Sequence, residues 1–165
     1  YTAILDADHR AKNNWIQESI SFLETKKEYE CVQGSRSPLS TNNIFQLWDS
    51  AQNHIGNEML HFLLQKASLS SFFTGTTAVF RTKTLQNIGI SNCITEDTYL
   101  SYKILLANKK IGYLAFTGSA EEVAPNLKSY VARRRRWSNG HNKTFFDHLS
   151  TIFISPISIK QKITN

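Results

Sequence analysis

Two carboxylates, Asp6 and Asp8, stand directly after an apolar segment at residues 1–5. If that segment is a strand, the two side chains share a face and lie roughly 6.5–7 Å apart. Open α/β sheets bind ligands at the carboxyl ends of their strands, and a carboxylate pair there could hold a divalent cation together with a diphosphate. The alternative is a solvated turn, because aspartate is common where strands end. His9 is expected to be a bystander rather than a ligand.

A second group, Thr95-Glu96-Asp97, has the composition of a helix start. In the simplest interpretation Thr95 is the N-cap and the two acids occupy the first turn. A carboxylate fixed on a rigid helix start could instead act as a general base that accepts a proton from a substrate hydroxyl. The triplet alone does not separate these alternatives.

A third group is a run of four arginines at positions 133–136, followed by Trp137. Consecutive helical residues point about 100° apart, so the run encircles the helix and does not form one basic face. Arg133, Arg136 and Trp137 nevertheless share a side. The arginines could pair with phosphate oxygens, and the tryptophan could offer a flat surface to a sugar ring. The alternative is a solvated charge run with one core tryptophan.

The composition limits what these groups could belong to. With 165 residues, of which 41% are hydrophobic and 19% charged, the chain is long enough for one domain with a buried core and is not a disordered or low-complexity chain. Two cysteines exclude a disulfide framework and favour a reduced, intracellular setting. No apolar run approaches the roughly 18 residues of a membrane span. The net charge of +6 is local, because without the arginine run 15 basic residues nearly balance 13 acidic ones.

The elements that must position these residues alternate between strands and helices, which predicts an α/β layered fold. Strands are predicted at residues 1–5, 29–33, 71–80 and 111–116, and residues 34–41 are predicted to form a loop. Helices are predicted from Asn13 or Asn14, from about Asn43, over 82–89, after Thr95 and from Pro125. The helix after Asn43 carries an apolar stripe predicted to face the core: Ile44, Leu47, Trp48, Ala51, Ile55, Met59 and Phe62.

The order and spacing of these three groups, together with a fourth segment at residues 72–81, are more specific than any one of them. Asp6-Ala-Asp8, then Phe72-Phe-Thr-Gly75-Thr-Thr-Ala-Val-Phe80-Arg81, then Thr95-Glu96-Asp97, then Arg133-x-x-Arg136-Trp137 resemble a known pattern over residues 1 to about 143. It is that of the family-2 glycosyltransferases of the cellulose synthase-like, membrane-anchored type.

The resemblance implies a nucleotide-diphospho-sugar transferase (GT-A) fold, with a mixed sheet flanked by helices, and an inverting glycosyltransferase reaction. It implies Mg²⁺ or Mn²⁺ as cofactor, a nucleotide-diphosphate sugar (most simply a UDP-sugar) as donor and a saccharide as acceptor. The site residues that it implies are Asp6 and Asp8 for the metal and diphosphate, Asp97 with Glu96 for general base catalysis, Gly75 for close approach of the acceptor, and Arg133, Arg136 and Trp137 beside the diphosphate and acceptor.

Arg133 departs from the family pattern, which has glutamine at that position. Ceramide glucosyltransferases and their relatives tolerate arginine there, so a lipid acceptor, such as a polyprenol phosphate or a ceramide, is the alternative. The nucleoside-binding half of the domain is expected upstream of Tyr1. From other classes, a nucleic-acid-binding module built on the arginine run and a catalytically inactive interaction domain stay open.

Residues 144–165 are expected to form an amphipathic tail after the catalytic part at 1–143. The stripe of this tail is Phe145, Phe146, Leu149, Ile152 and Phe153, ended by Pro156. It could pack on the core of the domain, or it could lie in a membrane interface with Lys143, Lys160 and Lys162 as cationic neighbours. The resemblance implies a parent protein in the cell membrane whose catalytic domain faces the cytoplasm.

Overall fold

The structure, a computed structural model, describes residues 1–89 and 95–155. Ile94 and Cys93, and the tail residues Pro156, Lys160 and Lys162, lie outside these described residues. The strands are β1 (Thr2–Ile4), β2 (His9–Ala11), β3 (Tyr29–Pro38), β4 (Ala78–Phe80) and β5 (Lys110–Glu121). The helices are α1 (Trp15–Thr25), α2 (Ile44–Asn53), a π-helical turn (His54–Glu58), α3 (Met59–Lys66), α4 (Thr82–Ile88), α5 (Glu96–Leu106) and α6 (Leu127–Ile154).

The strands form one mixed sheet in the order β1-β4-β3-β5-β2. The central pair, β3 and β5, runs parallel, and the other neighbours run antiparallel. Because side chains alternate along a strand, Cys31 and Val32 of β3 enter cores on opposite faces of the sheet. Helices α4 and α5 cover one face with Leu85, Leu100 and Ile104, and α1 covers the other with Trp15 and Leu23. The predicted α/β fold with flanking helices is confirmed.

Several predicted strands differ in extent from the observed ones. β3 continues through residues 34–38, which were predicted to form a loop, because the parallel pairing with β5 resumes after a register shift at Gly34/Ser35. β2 was not predicted; it is a short edge strand beside β5. Residues 71–77 do not form a strand, so only β4 remains of the segment predicted over 71–80. β1 is also an edge strand and is not buried as predicted.

Spacing along the sequence did not identify the side chains that cap the helices. Asn14 precedes α1, but its side chain bonds Glu18 and accepts from Thr117 rather than capping the helix. Thr95 likewise makes no cap bond for α5. α6 begins after Asn126, whose side chain accepts from the Ser129 amide at 3.0 Å, so the predicted start at Pro125 was wrong by two residues. The predicted end of α4 at Gly89 is confirmed.

The apolar stripe that was predicted to face the core is largely exposed. Ile44 is 82% exposed and Ile55 is 66% exposed, and Leu47, Trp48 and Met59 are also exposed. The buried positions of α2, the π turn and α3 are mostly polar: Asp49, Glu58, His61 and Leu64. The prediction was wrong because these polar side chains find partners on β3, β5 and α6, which the periodicity of one helix cannot reveal.

The last helix, α6, is one continuous helix of 28 residues that passes through positions 143 and 144. Its outer surface includes Phe146, which is 69% exposed. Among the described residues, no helix is both long enough and apolar enough to cross a bilayer.

Candidate active site

The carboxylate pair lies in the short connection between β1 and β2. The Asp6 amide donates to the Thr76 hydroxyl at 2.9 Å, which ties the start of the connection to the segment before β4. The Asp8 side chain is 57% exposed and is therefore free to turn toward a ligand. The two edge strands flank this connection, so both carboxylates follow the carboxyl end of β1.

His9 joins the two acids. One ligand atom from each of Asp6, Asp8 and His9 lies within 4.8 Å of the others. The His9 Nδ1 atom bonds the Ser119 hydroxyl at 2.8 Å, and its Nε2 atom lies 4.0 Å from a carboxylate oxygen of Asp8. A second hydrogen bond that fixes the ring is typical of metal-binding histidines. Two carboxylates and an imidazole fit a divalent cation. His9, which was expected to be a bystander, is therefore a candidate ligand.

Gly75 lies on a segment that hydrogen bonds hold on both sides. Before it, the Thr74 amide donates to the Gln33 side chain at 2.8 Å; after it, Thr76 holds Asp6. Gly75 has a φ of +91°, and the β-branched Thr77 has a φ of 54°, an uncommon conformation for such a residue. Strained backbone of this kind clusters at ligand sites. Gly75 lets the chain take this path without a side chain in front of Asp97.

Asp97 lies in the first turn of α5, opposite Gly75. A Cβ atom on Gly75 would lie 3.7 Å from Oδ2 of Asp97, so this oxygen faces the glycine. The other oxygen, Oδ1, accepts from the Thr98 amide at 2.6 Å. Ser101 donates to the Asp97 carbonyl at 2.8 Å and thereby fixes the turn. Asp97 is partly buried, as is Glu96, which lines the same cavity.

The arginine run is divided among different surroundings. Arg133 donates to Asp49 at 2.7 Å, and Asp49 is fully buried. Arg134 bonds the side chains of α2 and lies 5.7 Å from the Trp137 ring. Arg136 is exposed and lines the cavity, whereas Arg135 is exposed outside it. The four cations therefore do not act as one basic face.

These groups meet at one open cavity of about 1040 Å³. It is large enough for a nucleotide sugar or for several sugar rings. Every candidate site residue from the sequence lines it: Asp6, Asp8, Gly75, Glu96, Asp97, Arg133, Arg136 and Trp137. The structure thus brings together residues that lie up to 131 positions apart in the sequence numbering.

Sequence reasoning missed a buried polar network beside the cavity. Arg36 of β3 lies 3.6 Å from Glu58, which in turn accepts from the Tyr113 hydroxyl at 2.5 Å. His61 bonds Ser71 at 2.5 Å, and burial, assisted by the charge of Arg36, lowers the pKa of His61 to about 4. His61 is therefore neutral at physiological pH. The π turn that carries Glu58 is of a kind frequent at functional sites, but no motif marks it in the sequence.

The Arg133–Asp49 pair leads to a stability prediction. Arg133→Ala is expected to lower the free energy of unfolding by about 2 to 3 kcal/mol, because it leaves a buried carboxylate without its cation. Arg135→Ala, on the exposed side of α6, is the matched control and should change it by less than about 0.5 kcal/mol. Urea unfolding of both variants measures the difference. Equal losses in the two variants would contradict the assignment of Arg133 to a buried ion pair.

The fold and the site together define a class of protein. A mixed sheet flanked by helices, with acidic residues at a strand end and further carboxylates at a helix start lining one cleft, is the arrangement of the nucleotide-diphospho-sugar transferase (GT-A) fold.

The chain belongs to glycosyl transferase family group 2, whose sequence model matches residues 1–162. Probable glucomannan 4-beta-mannosyltransferase 3 of Oryza sativa subsp. japonica is 27% identical over 154 residues, which cover 88% of this chain and 27% of that protein. The UDP-forming cellulose synthase catalytic subunit of Dictyostelium discoideum is 24% identical over 149 residues, which cover 88% of this chain and 14% of that protein. The predicted family is confirmed, and the chain spans only a small part of the length of these relatives.

Proposed function

We propose that this chain carries the metal- and acceptor-binding part of an inverting glycosyltransferase that moves a sugar from a nucleotide-diphosphate sugar to a saccharide. The observation that carries the proposal is the position of Asp97. Its Oδ2 atom lies beside Gly75 in the wall of the cavity that Asp6 and Asp8 also line. A base and a diphosphate site in one cleft are what a displacement at the anomeric carbon requires.

In the proposed reaction the acceptor hydroxyl loses its proton to Asp97 while its oxygen bonds the anomeric carbon. The bond between that carbon and the diphosphate oxygen breaks, and a single displacement inverts the configuration. Glu96 adds negative charge beside the base. Gly75 leaves room for the acceptor in front of Oδ2.

Asp6 and Asp8, with His9, would hold Mg²⁺ or Mn²⁺ beside the diphosphate. When bound, the ion supplies positive charge that stabilises the leaving diphosphate. The two carboxylates suit Mg²⁺ and Mn²⁺ alike. Family members generally use a divalent metal ion, which agrees with the donor set.

The proposal divides the arginine signature into two roles. Arg136 has no ion-pair partner among the described residues and would meet the diphosphate. Arg133 is paired with Asp49 and would orient Trp137, whose ring lies 5.1 Å from the guanidinium carbon. Trp137 would then stack on a sugar ring of the acceptor. This division favours sugar transfer over nucleic-acid binding, which would use the arginines as one phosphate-binding face.

UDP-sugars are the proposed donors. The name of the Dictyostelium relative describes it as UDP-forming. The rice relative is named as a probable glucomannan 4-beta-mannosyltransferase. A lipid acceptor is the second candidate. Leu60, Phe72 and Phe145 line the cavity and could meet an acyl or prenyl chain.

A transfer assay with membranes that contain the full-length protein tests the function. Radiolabelled UDP- and GDP-sugars are supplied with Mn²⁺, and the products are separated into ethanol-insoluble polymer and organic-soluble lipid. Label in polymer supports the saccharide acceptor, and label in lipid supports the alternative. Label in neither fraction with any donor would contradict the proposal.

We also infer that the parent protein works at the cell membrane, with this domain on its cytoplasmic side. Exposed apolar side chains on α2 through α3, and Phe146 on α6, support it. Ile55 and Met59 are more than half exposed, yet they are large and apolar. An interfacial helix presents such a face to the lipid.

Vesicle binding tests whether the exposed apolar side chains of α2 through α3 and of α6 contact lipid or only pack within the protein. Ile55→Ser with Met59→Ser is expected to weaken binding to phosphatidylcholine–phosphatidylserine vesicles by about tenfold or more, because two apolar side chains no longer enter the lipid. Phe146→Ser tests the tail in the same way. Ile16→Ser, an exposed isoleucine on α1, is the control. If all of these variants co-sediment with vesicles like the wild type, the membrane inference is wrong.

A further inference from the structure

The two oxygens of the Asp97 carboxylate have different surroundings. Oδ1 accepts from the Thr98 amide at 2.6 Å and from the Thr98 hydroxyl at 3.3 Å. Oδ2 is the oxygen nearest Gly75. The carboxylate is thus held by one oxygen and presents the other to the cavity.

The Thr98 hydroxyl has a second partner on α6. Its oxygen lies 2.6 Å from Nδ1 of His141, a residue that also lines the cavity. His141 lies four residues after Trp137, on the same side of α6. Neither Thr98 nor His141 was among the candidate residues predicted from the sequence.

The contact between α5 and α6 is fixed next to His141. A Cβ on Gly140 would lie 2.3 Å from the Thr95 side chain, so glycine is needed for the helices to approach this closely. One turn further on, the Thr144 and Thr95 hydroxyls bond at 2.8 Å, and both residues are buried. These contacts hold the backbone of α6 so that His141 reaches Thr98.

The Thr98 hydroxyl has only one proton to donate. An ionised carboxylate forms a stronger hydrogen bond than a neutral imidazole nitrogen does, so that proton goes to Oδ1 of Asp97. Nδ1 of His141 must then carry a proton and donate it to the Thr98 oxygen. The chain of donors runs from His141 to Thr98 to Asp97.

We propose that His141 and Thr98 are positioning residues that hold Asp97 by Oδ1, so that Oδ2 is the oxygen that takes the acceptor proton. The inference rests on the proposed role of Asp97 as the base. It names the reacting atom and assigns α6 a part in orienting the base, in addition to the arginine signature.

Turnover of the full-length protein tests the inference. Thr98→Val and His141→Leu should each lower kcat about tenfold while the KM for the donor stays within about twofold, since only the orientation of the base is lost. Thr98→Ser keeps the hydroxyl, and His141→Asn can place an amide N–H near the Nδ1 position, so both should recover most of kcat. The double variant Thr98→Val with His141→Leu should be no slower than either single variant, because both break the same chain of donors. Asn139→Ala, exposed on α6 outside the cavity, is the control.

The outcomes separate the inference from the proposed function. Lost turnover in Asp97→Asn together with wild-type kcat in Thr98→Val and His141→Leu would overturn the inference alone. Wild-type turnover in Asp97→Asn would overturn the proposed function, and the inference with it. Independently of activity, ¹⁵N NMR of the 165-residue chain, recorded at a pH at which the His141 ring carries one proton, should show that proton on Nδ1, and Thr98→Val should abolish that preference. A proton on Nε2 in the wild-type chain would contradict the proposed donor order.

Discussion

Replacement of Asp97 by asparagine is expected to lower the turnover of the full-length protein by about 1,000-fold, within the range that a general base contributes. An amide cannot accept the acceptor proton, although it fills nearly the same space and can still accept hydrogen bonds from Thr98. The affinity for nucleotide and metal should stay close to that of the wild type, because Asp97 approaches Gly75 and is not among the group of possible metal ligands. A kcat that falls while the nucleotide Kd stays constant is the signature of a group needed in the transition state.

Initial rates of sugar transfer and calorimetric titration with UDP and Mn²⁺ measure the two quantities. Asp147→Asn provides a matched control, since Asp147 is exposed on α6 and does not line the cavity. Glu96→Gln removes the neighbouring charge and should have a smaller effect than Asp97→Asn. If Asp97→Asn turns over at the wild-type rate, another group is the base.

Local sequence patterns predicted the helices that pack on the core through apolar residues of their own. α1, α4 and α5 lie where helices were predicted, and each buries a leucine: Leu23, Leu85 and Leu100. The order of the motifs along the chain was also informative, because a fold places fixed points of the chain around one cleft. The family resemblance then indicated which residues of those motifs line the cavity.

Long-range polar contacts were beyond the reach of the same reasoning. Asp49 and Arg133 are separated by 84 positions, and nothing near either residue in the sequence indicates the other. An amphipathic pattern places such a carboxylate in the solvent. The prediction therefore oriented α2 and α3 with the wrong face toward the core. Nothing in the sequence indicated Thr98 either, because its contact with His141 depends on the close approach of α6.

His9 illustrates how an edge strand can change an interpretation. As a free turn residue it had no reason to point anywhere in particular. In β2 it is paired opposite Glu121, and hydrogen bonds with the Ser119 and Thr77 hydroxyls hold Nδ1. Its Nε2 atom is thereby directed to the carboxylates of Glu121 and Asp8. Because β2 was not predicted, this orientation could not be predicted either.

Asp8→Asn is expected to produce the second large effect, a loss of Mn²⁺ affinity of about 100-fold, or roughly 2.7 kcal/mol. The substitution replaces an anionic ligand by a neutral amide while the backbone of the connection between β1 and β2 is unchanged. Because the ion would bridge to the diphosphate, UDP affinity should fall with it in the presence of Mn²⁺. In EDTA, UDP should bind the wild type and the variant equally weakly.

Electron paramagnetic resonance of free Mn²⁺ measures the metal affinity directly on the 165-residue chain, without any need for turnover. His9→Ala should weaken binding less than Asp8→Asn, since it removes a neutral ligand and leaves both carboxylates. Asp147→Asn again serves as the control for a lost surface charge. Should Asp8→Asn bind Mn²⁺ as tightly as Asp147→Asn, Asp8 is not a ligand, and the diphosphate site must be sought elsewhere in the cavity. A loss confined to Asp8→Asn and His9→Ala instead ties the ion to the connection between the two edge strands.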